Sequence, residues 1–376
     1  GTYTLTSGQL DLTGQVTIQG AGSGATVIDA GGASRAFQVD KDAVAEIDGV
    51  SIVDGNSGQL APATCPALGF SDVPGGAILD AGTLTLRGDS ISDSIADGSG
   101  GAIEDLGNDP LTIADTALSH NTSCATDDSG AGLGFGGGVD DSGTAAMTIS
   151  DATITDNTAA GFDGGGVAES GGATVTLTDS TISGNAASSS NGSFVSGGGI
   201  AAEGGGIVDL SGDTLTANTA GGAGGGMLVG IGMETPDSAS VVDTTITANT
   251  AAAGGGIDAS NGGSVTISFA TIDANTATAA DFGAGNLGSG GEAPGRFTLD
   301  DSIIADGVGA APIAAVAGSS SPSNCGAFQG SFTSTGHNLF DGDGAQCGAV
   351  DSDIVDADPD LGPLANNGGP TETMAL

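Results

Sequence analysis

The 376-residue chain sets 46 Asp and Glu against 4 Lys and Arg, a formal net charge of −42 at pH 7. That balance excludes a phosphate backbone or an anionic membrane surface as a partner, and leaves cations, basic proteins and neutral glycans. With 72 Gly, 3% aromatic residues and no Trp, a core built on large rings is also excluded. Apolar residues that recur in register oppose disorder as well.

Residues 2–5 already read as a strand. The chain shows no initiator Met, no signal peptide and no apolar run near the ~18 residues of a membrane span. We therefore expect a leader that has been removed or lies outside this chain, and no membrane-spanning segment. Gly20-Ala21-Gly22-Ser23-Gly24 follows a strand, but residues 26–29 continue as strand rather than helix. A dinucleotide loop lacks its context there, and a tight turn fits better.

From residue 90 onward one phrase repeats. It reads DTALSHN at 115–121, DATITDN at 151–157, DSTISGN at 179–185, GDTLTAN at 212–218, DTTITAN at 243–249 and FATIDAN at 269–275, with worn copies near 90–94 and 301–306. After each phrase come a variable loop and a glycine run: GGAI at 75–78 and 100–103, GGGV at 136–139 and 164–167, GGGI at 197–200 and 254–257, GGGM at 224–227. Between these markers apolar residues alternate with Thr and Ser, as in Val175-Thr176-Leu177-Thr178, which is strand periodicity. Each repeat holds roughly three short strands, one turn of a solenoid.

These features predict an all-β, right-handed parallel β-helix of roughly ten to twelve coils, about 50 Å long at the usual strand spacing. Residues 1–310 would form the coils with their variable loops, and residues 311–376 a continuous C-terminal cap. Asn121, Asn157, Asn185, Asn218, Asn249 and Asn275 fall at one turn, where stacked amides would bond to each other and to free backbone groups. A bare β-helix would leave a strand edge at each end, so joining of copies end to end is expected.

Cys65, Cys124, Cys325 and Cys347 form no C-x-x-C pair, which argues against a zinc knuckle. An even count in a chain read as secreted favours two disulfides. Cys325–Cys347 closes a local loop and Cys65–Cys124 is the remainder, although sequence alone permits three pairings. The acid-dense Asp351, Asp353, Asp356, Asp358 and Asp360 have oxygen-rich spacing that suits calcium but lack the Gly and Glu positions of an EF-hand. No other cofactor is indicated. His120 and His337 are the two histidines, far apart, with no third ligand. Asn121 and Asn191 open formal glycosylation sequons.

The pairing of GGA[IVL] with an apolar-x-x-Asn phrase resembles the repeats of polymorphic outer-membrane proteins. Residues 1–39 and the closing segment 324–376, with DPDLGPLANNGGPT at 358–371, resemble the bacterial choice-of-anchor Q β-helix proteins, Cys pair included. That resemblance implies a secreted, surface-anchored protein, mostly without assigned activity in the family. Partners would be other copies of itself or cell-surface and matrix components, not nucleic acid.

Catalysis is weighed on residues. Lyases of this fold use Lys or Arg, of which Arg35, Lys41, Arg87 and Arg296 are the whole supply. A hydrolase needs two carboxylates, which Asp140-Asp141, Asp127-Asp128 or Asp300-Asp301 would provide, but among 46 acids such neighbours arise by chance. Gly336-His337-Asn338 is only a fragment of a polygalacturonase-like set. Aromatic platforms for sugar are scarce, with several Phe (Phe135, Phe162, Phe194, Phe282) in the variable loops. The expectation is a secreted structural or adhesive surface protein, such as a fibre subunit, that is not an enzyme. A carbohydrate-active β-helix is the alternative.

Overall fold

The computed structural model describes residues 1–58, 65, 73–124, 135–161, 163–189, 195–230, 236–279, 284–309, 323–327, 330–342 and 344–376. One circuit shows the plan. Leu111–Ala114 belongs to sheet 4, Ala117–Ser119 to sheet 1, Thr122–Cys124 to the short sheet 2 and Val139–Asp141 to sheet 3, before Met147–Ser150 returns to sheet 4. Among the described residues sheet 1 stacks 12 strands, sheets 3 and 4 stack 11 each, and sheet 2 stacks 7. Each strand pairs in parallel with its counterpart in the next circuit, as in Leu118↔Ile154 and Ile154↔Ile182. The chain is a right-handed parallel β-helix, and among the described residues it is all-β apart from one 3-10 turn at Ala345–Cys347.

Alternation sorts the side chains. In sheet 1 the middle residues Ile91, Leu118, Ile154, Ile182, Leu215, Ile246, Ile272 and Ile304 point inward and are fully buried. Each meets its own kind one strand away, about 4.8 Å above and below. Burial of each such side chain stabilises the fold by roughly 1.5–3 kcal/mol.

The corner between sheets 1 and 2 is an amide column. The Nδ2 of Asn121 donates to Asn157 Oδ1 at 3.0 Å, Asn157 to Asn185 at 3.0 Å, Asn185 to Asn218 at 3.0 Å, Asn218 to Asn249 at 2.9 Å and Asn249 to Asn275 at 2.9 Å. Asn275 passes the column to Asn286, and Asn286 to Asn324. The Nδ2 of each of the six phrase asparagines also donates to a carbonyl of the preceding coil, as Asn185 does to Ile154 O at 2.9 Å. All six phrase asparagines are fully buried.

Two disulfides are present: Cys65–Cys124 and Cys325–Cys347, each with Cα atoms 5.3 Å apart. The C-terminal end differs from the bare edge expected. Ile354 pairs with Leu339, Phe340 N donates to Ile354 O at 2.8 Å, and Ile354 N to Asn338 O at 2.8 Å. The last coil is thus covered by its own following segment.

Replacing Asn185 by Ala strands Asn157 N–H, Asn157 Nδ2 and Ile154 O. At about 1–3 kcal/mol for each buried group left unpaired, we expect a loss of roughly 3 kcal/mol or more in urea unfolding. A change below about 0.5 kcal/mol would show that the column contributes nothing.

Candidate functional site: a buried carboxyl row

The glycine phrases build this site. Gly136 adopts φ 60°, and a Cβ there would lie 2.3 Å from Val139 O and 2.6 Å from Asp140 N. Its neighbour Gly137 packs so tightly that a Cβ would lie 2.3 Å from Gly165 O. The turn therefore folds down over the strand that follows it. In six coils the outward residue of the sheet 3 strand, four positions after the first Gly, is buried beneath that turn, whereas Leu79, after Gly75, is half-buried. In three coils it is apolar: Ala168, Ala201 and Leu228. In three it is acidic: Glu104, Asp140 and Asp258.

Glu104 and Asp140 are register partners on adjacent strands, 3% and 1% exposed. Two coils on, Asp163 at the turn and Glu203 after the strand Ile200–Ala202 form a second pair, 9% and 8% exposed. In each pair the two carboxyls face one another away from water, so that one of them keeps a proton. Glu104 Oε2 and Glu203 Oε1 receive no hydrogen bond, which suits oxygens that carry the shared proton. Among the described residues no basic side chain pairs with any of the four.

Serines finish the row. Ser142 Oγ donates to Glu104 Oε1 at 2.8 Å, Ser170 Oγ to Asp140 Oδ1 at 3.1 Å, and Ser99 also bonds Asp140. Ser196 N donates to Asp163 Oδ1. Ser142 is exposed and Ser170 half-buried, so the row meets solvent along the edge between sheets 3 and 4.

Electrostatics follow from burial without a counter-charge. Burial pushes Asp140 up to about 7 against the opposing hydrogen bonds of Ser170 and Ser99. Burial likewise lifts Asp163 to about 7, against the Ser196 N–H and Glu203. Glu104 is held well above the usual range by burial and then by Asp140, and Glu203 by burial and then by Asp163. Behind this row Asp80, Asp105, Asp141 and Glu169 stack at the strand ends and accept backbone N–H groups of the turns, from Gly82, Gly107, Gly143 and Ala173. Burial also raises these four, to about 7, 8, 6 and 8.

Of the pairs marked in the sequence, Asp140-Asp141 splits: Asp140 faces the row and Asp141 caps the turn. Asp300 accepts from Thr335 Oγ1, and Asp301 sits at a left-handed corner beside His337, 3.8 Å away. His120 lies exposed beside Asp156 at 3.9 Å. Phe135, half-buried, donates its N–H to Ser99 Oγ. Asp127-Asp128, Phe162, Asn191, Phe194 and Phe282 fall outside the described residues. In the C-terminal series, Asp353 accepts from Ser334 Oγ at 2.7 Å and Val350 N at 2.7 Å, while Asp358 accepts only from Asp360 N. Asp351, Asp356 and Asp360 are exposed and apart from that network, and no three His, Cys, Asp or Glu among the described residues converge as metal ligands. Sequence reasoning missed Glu104, Asp163 and Glu203. Their signal was an acid directly flanking a glycine phrase, as in GGAIE (100–104), DGGG (163–166) and IAAE (200–203).

Comparison with known proteins agrees on the fold. The family model described as Right handed beta helix region matches residues 130–294. No curated protein sequence matches the chain. Among solved structures, Dettilon tailspike protein (gp208) is similar at 14% identity and TM-score 0.39, over 92% of this chain and 61% of that one. The Azotobacter vinelandii mannuronan C-5 epimerase AlgE6 A-module is similar at 11% identity and TM-score 0.39, over 90% of each chain. The catalytic unit of the GH87 α-1,3-glucanase of Streptomyces thermodiastaticus strain HF3-3 is similar at 15% identity and TM-score 0.35, over 94% of this chain and 62% of that one. The chain thus spans less than two thirds of the tailspike and glucanase lengths, and these likenesses concern the fold alone.

The expectation that the chain is not an enzyme is withdrawn: two of these structures are enzymes, at 11% and 15% identity, and a likeness in fold assigns this chain no activity. The premise of that expectation was the scarcity of basic and aromatic residues. Carboxyl pairs need neither to move protons. Among the described residues no helix is long and apolar enough to cross a membrane.

The buried acids carry a pH signature. Their unfolded values lie near 4 and their folded values near 6–8, so the folded state binds more protons between those limits. The contribution is complete below about pH 4 and is lost as pH rises to about 8. We expect a thermal midpoint that falls from pH 5 to pH 8, also in 1 M salt where surface repulsion is screened. The slope should flatten in Asp163→Asn, whereas a midpoint that rises over this window would contradict ionisable burial.

Proposed function

We propose that this chain is an extracellular, carbohydrate-active β-helix protein that cleaves a neutral glycan by carboxyl acid–base chemistry at the Glu104–Asp140 pair. The observation that carries the reading is the row itself: paired, buried carboxyls without a counter-cation, beside an edge lined with hydroxyls. A carboxyl titrating near 7 both gives and takes a proton at neutral pH. Glycosidic cleavage asks for two carboxyls, one protonated and one ionised. For cleavage, a glycan and a water entering at the Ser142–Ser170 edge separate the two carboxyls to the roughly 6.5–9.5 Å of an inverting pair, so that Glu104 gives a proton to the leaving oxygen while Asp140 takes one from the water that attacks the anomeric carbon. Ser142 and Ser170 occupy positions that sugar hydroxyls can take, so a ligand entering at that edge substitutes one hydroxyl for another. The acidic surface disfavours polyanions and leaves neutral chains as substrates. Two disulfides support an oxidising, extracellular setting.

The test is release of reducing ends from a panel of neutral polysaccharides. Asp140→Asn and Glu104→Gln should each lower the rate by about 10²–10⁴-fold. Unchanged turnover in both variants, or no turnover by the parent chain on any of the panel, would refute the assignment.

A further inference from the structure

The C-terminal segment turns back along the solenoid. Residues 362–375 form a hairpin in which Gly362 N donates to Ala375 O at 2.7 Å, and Ala365 and Thr373 exchange bonds of 3.0 and 2.9 Å. Near its tip, Thr371 Oγ1 donates to Gly212 O at 2.7 Å, and Thr214 Oγ1 donates to Glu372 O at 2.7 Å. These contacts span 159 and 158 residues, whereas a solenoid otherwise joins only neighbouring coils.

The hairpin lies on the outward face of sheet 1, where Thr or Ser flanks the inward Ile or Leu of the strands from Ser90–Ser92 to Thr271–Asp273. The face is continuous, but its two halves differ in cover. Thr214 and Thr245 are 1% and 4% exposed. Beyond the hairpin tip Thr153 is exposed, and Thr155, Thr181 and Ser183 are half-buried, with hydroxyls that hold no hydrogen bond among the described residues. We propose that this uncovered half is a binding platform for a neutral polysaccharide strand, and that the C-terminal hairpin masks the rest of the same platform.

The covered half shows what the face accepts: an extended chain held by hydroxyl-to-carbonyl bonds, with no ion pair. A sugar polymer offers the same uncharged donors and acceptors. Its regularity suits a lattice repeating about every 4.8 Å between strands and roughly 6.7 Å along each strand. Asp151, Asp156 and Asp179 stand in left-handed corners beside the open half, which turns away polyanions. The inference deepens the carbohydrate reading and rests on it for the class of ligand.

The test is electrophoresis of the full chain through gels containing dextran, soluble starch or hydroxyethylcellulose, with sedimentation in parallel. At least one polymer should retard the parent. A Thr155→Val, Thr181→Val double variant should bind roughly tenfold more weakly, as expected for two lost hydrogen bonds of about 0.5–1.5 kcal/mol each. The matching Thr→Ser pair should keep its retardation, and Thr371→Val, which loosens the hairpin, should be retarded more than the parent. No retardation by any polymer, or equal retardation of the Val pair and parent, would overturn the proposal. So would a change of oligomeric state confined to the Val pair, since the occupant would then be a second copy. Asp140→Asn should lose turnover yet bind like the parent, so failure of the catalytic reading stays distinct from failure of the platform.

Discussion

Stacking in register governs everything in this molecule, because each side chain meets its own counterpart about 4.8 Å above and below. Some groups are self-complementary under that constraint. Ile on Ile packs, and an amide donates upward while accepting from below, so the asparagine column satisfies itself from Asn121 to Asn324. A carboxylate is not self-complementary. Two ionised carboxyls stacked away from water repel, and the pair becomes acceptable when one keeps its proton and donates to the other. The Glu104–Asp140 pair meets that constraint, and the Asp163–Glu203 pair meets it again two coils on.

The periodic part of the fold was legible because repetition amplifies weak signals. Six phrases ending in Asn, each preceded by an apolar residue three positions earlier, place one strand and one corner per coil. The carboxyl row was not legible, because its members are not periodic. Glu104 and Asp140 follow a glycine phrase where Ala168 and Ala201 stand in the neighbouring coils, and only the folding of each turn over its strand shows that this position is buried. Among 46 acids, Asp140 looked like one more solvated Asp. The hairpin on sheet 1 was equally hidden, since nothing local marks Thr371 as a partner of Gly212.

The two proposals place the chemistry and the ligand grip on separate faces of one rod. Sheet 3 carries the proton-sharing carboxyls, and sheet 1 carries the hydroxyl platform with its hairpin. On the proposed reading, acid–base chemistry by carboxyls would let a chain with 4 basic residues and few aromatics act on a sugar. Selectivity and reactivity have separate causes: the acidic surface keeps polyanions away, whereas burial without a counter-charge raises the protonation of the row.

The central claim is that these buried carboxyls hold protons at neutral pH. Carboxyl ¹³C resonances followed by NMR from pH 3 to pH 9 test it most directly, with Glu104→Gln and Asp163→Asn used for assignment. The account predicts resonances that titrate well above the bulk of surface acids near 4, Asp163 at about 7, and that vanish or shift in those variants. A spectrum in which every carboxyl is ionised by pH 5.5 would contradict it.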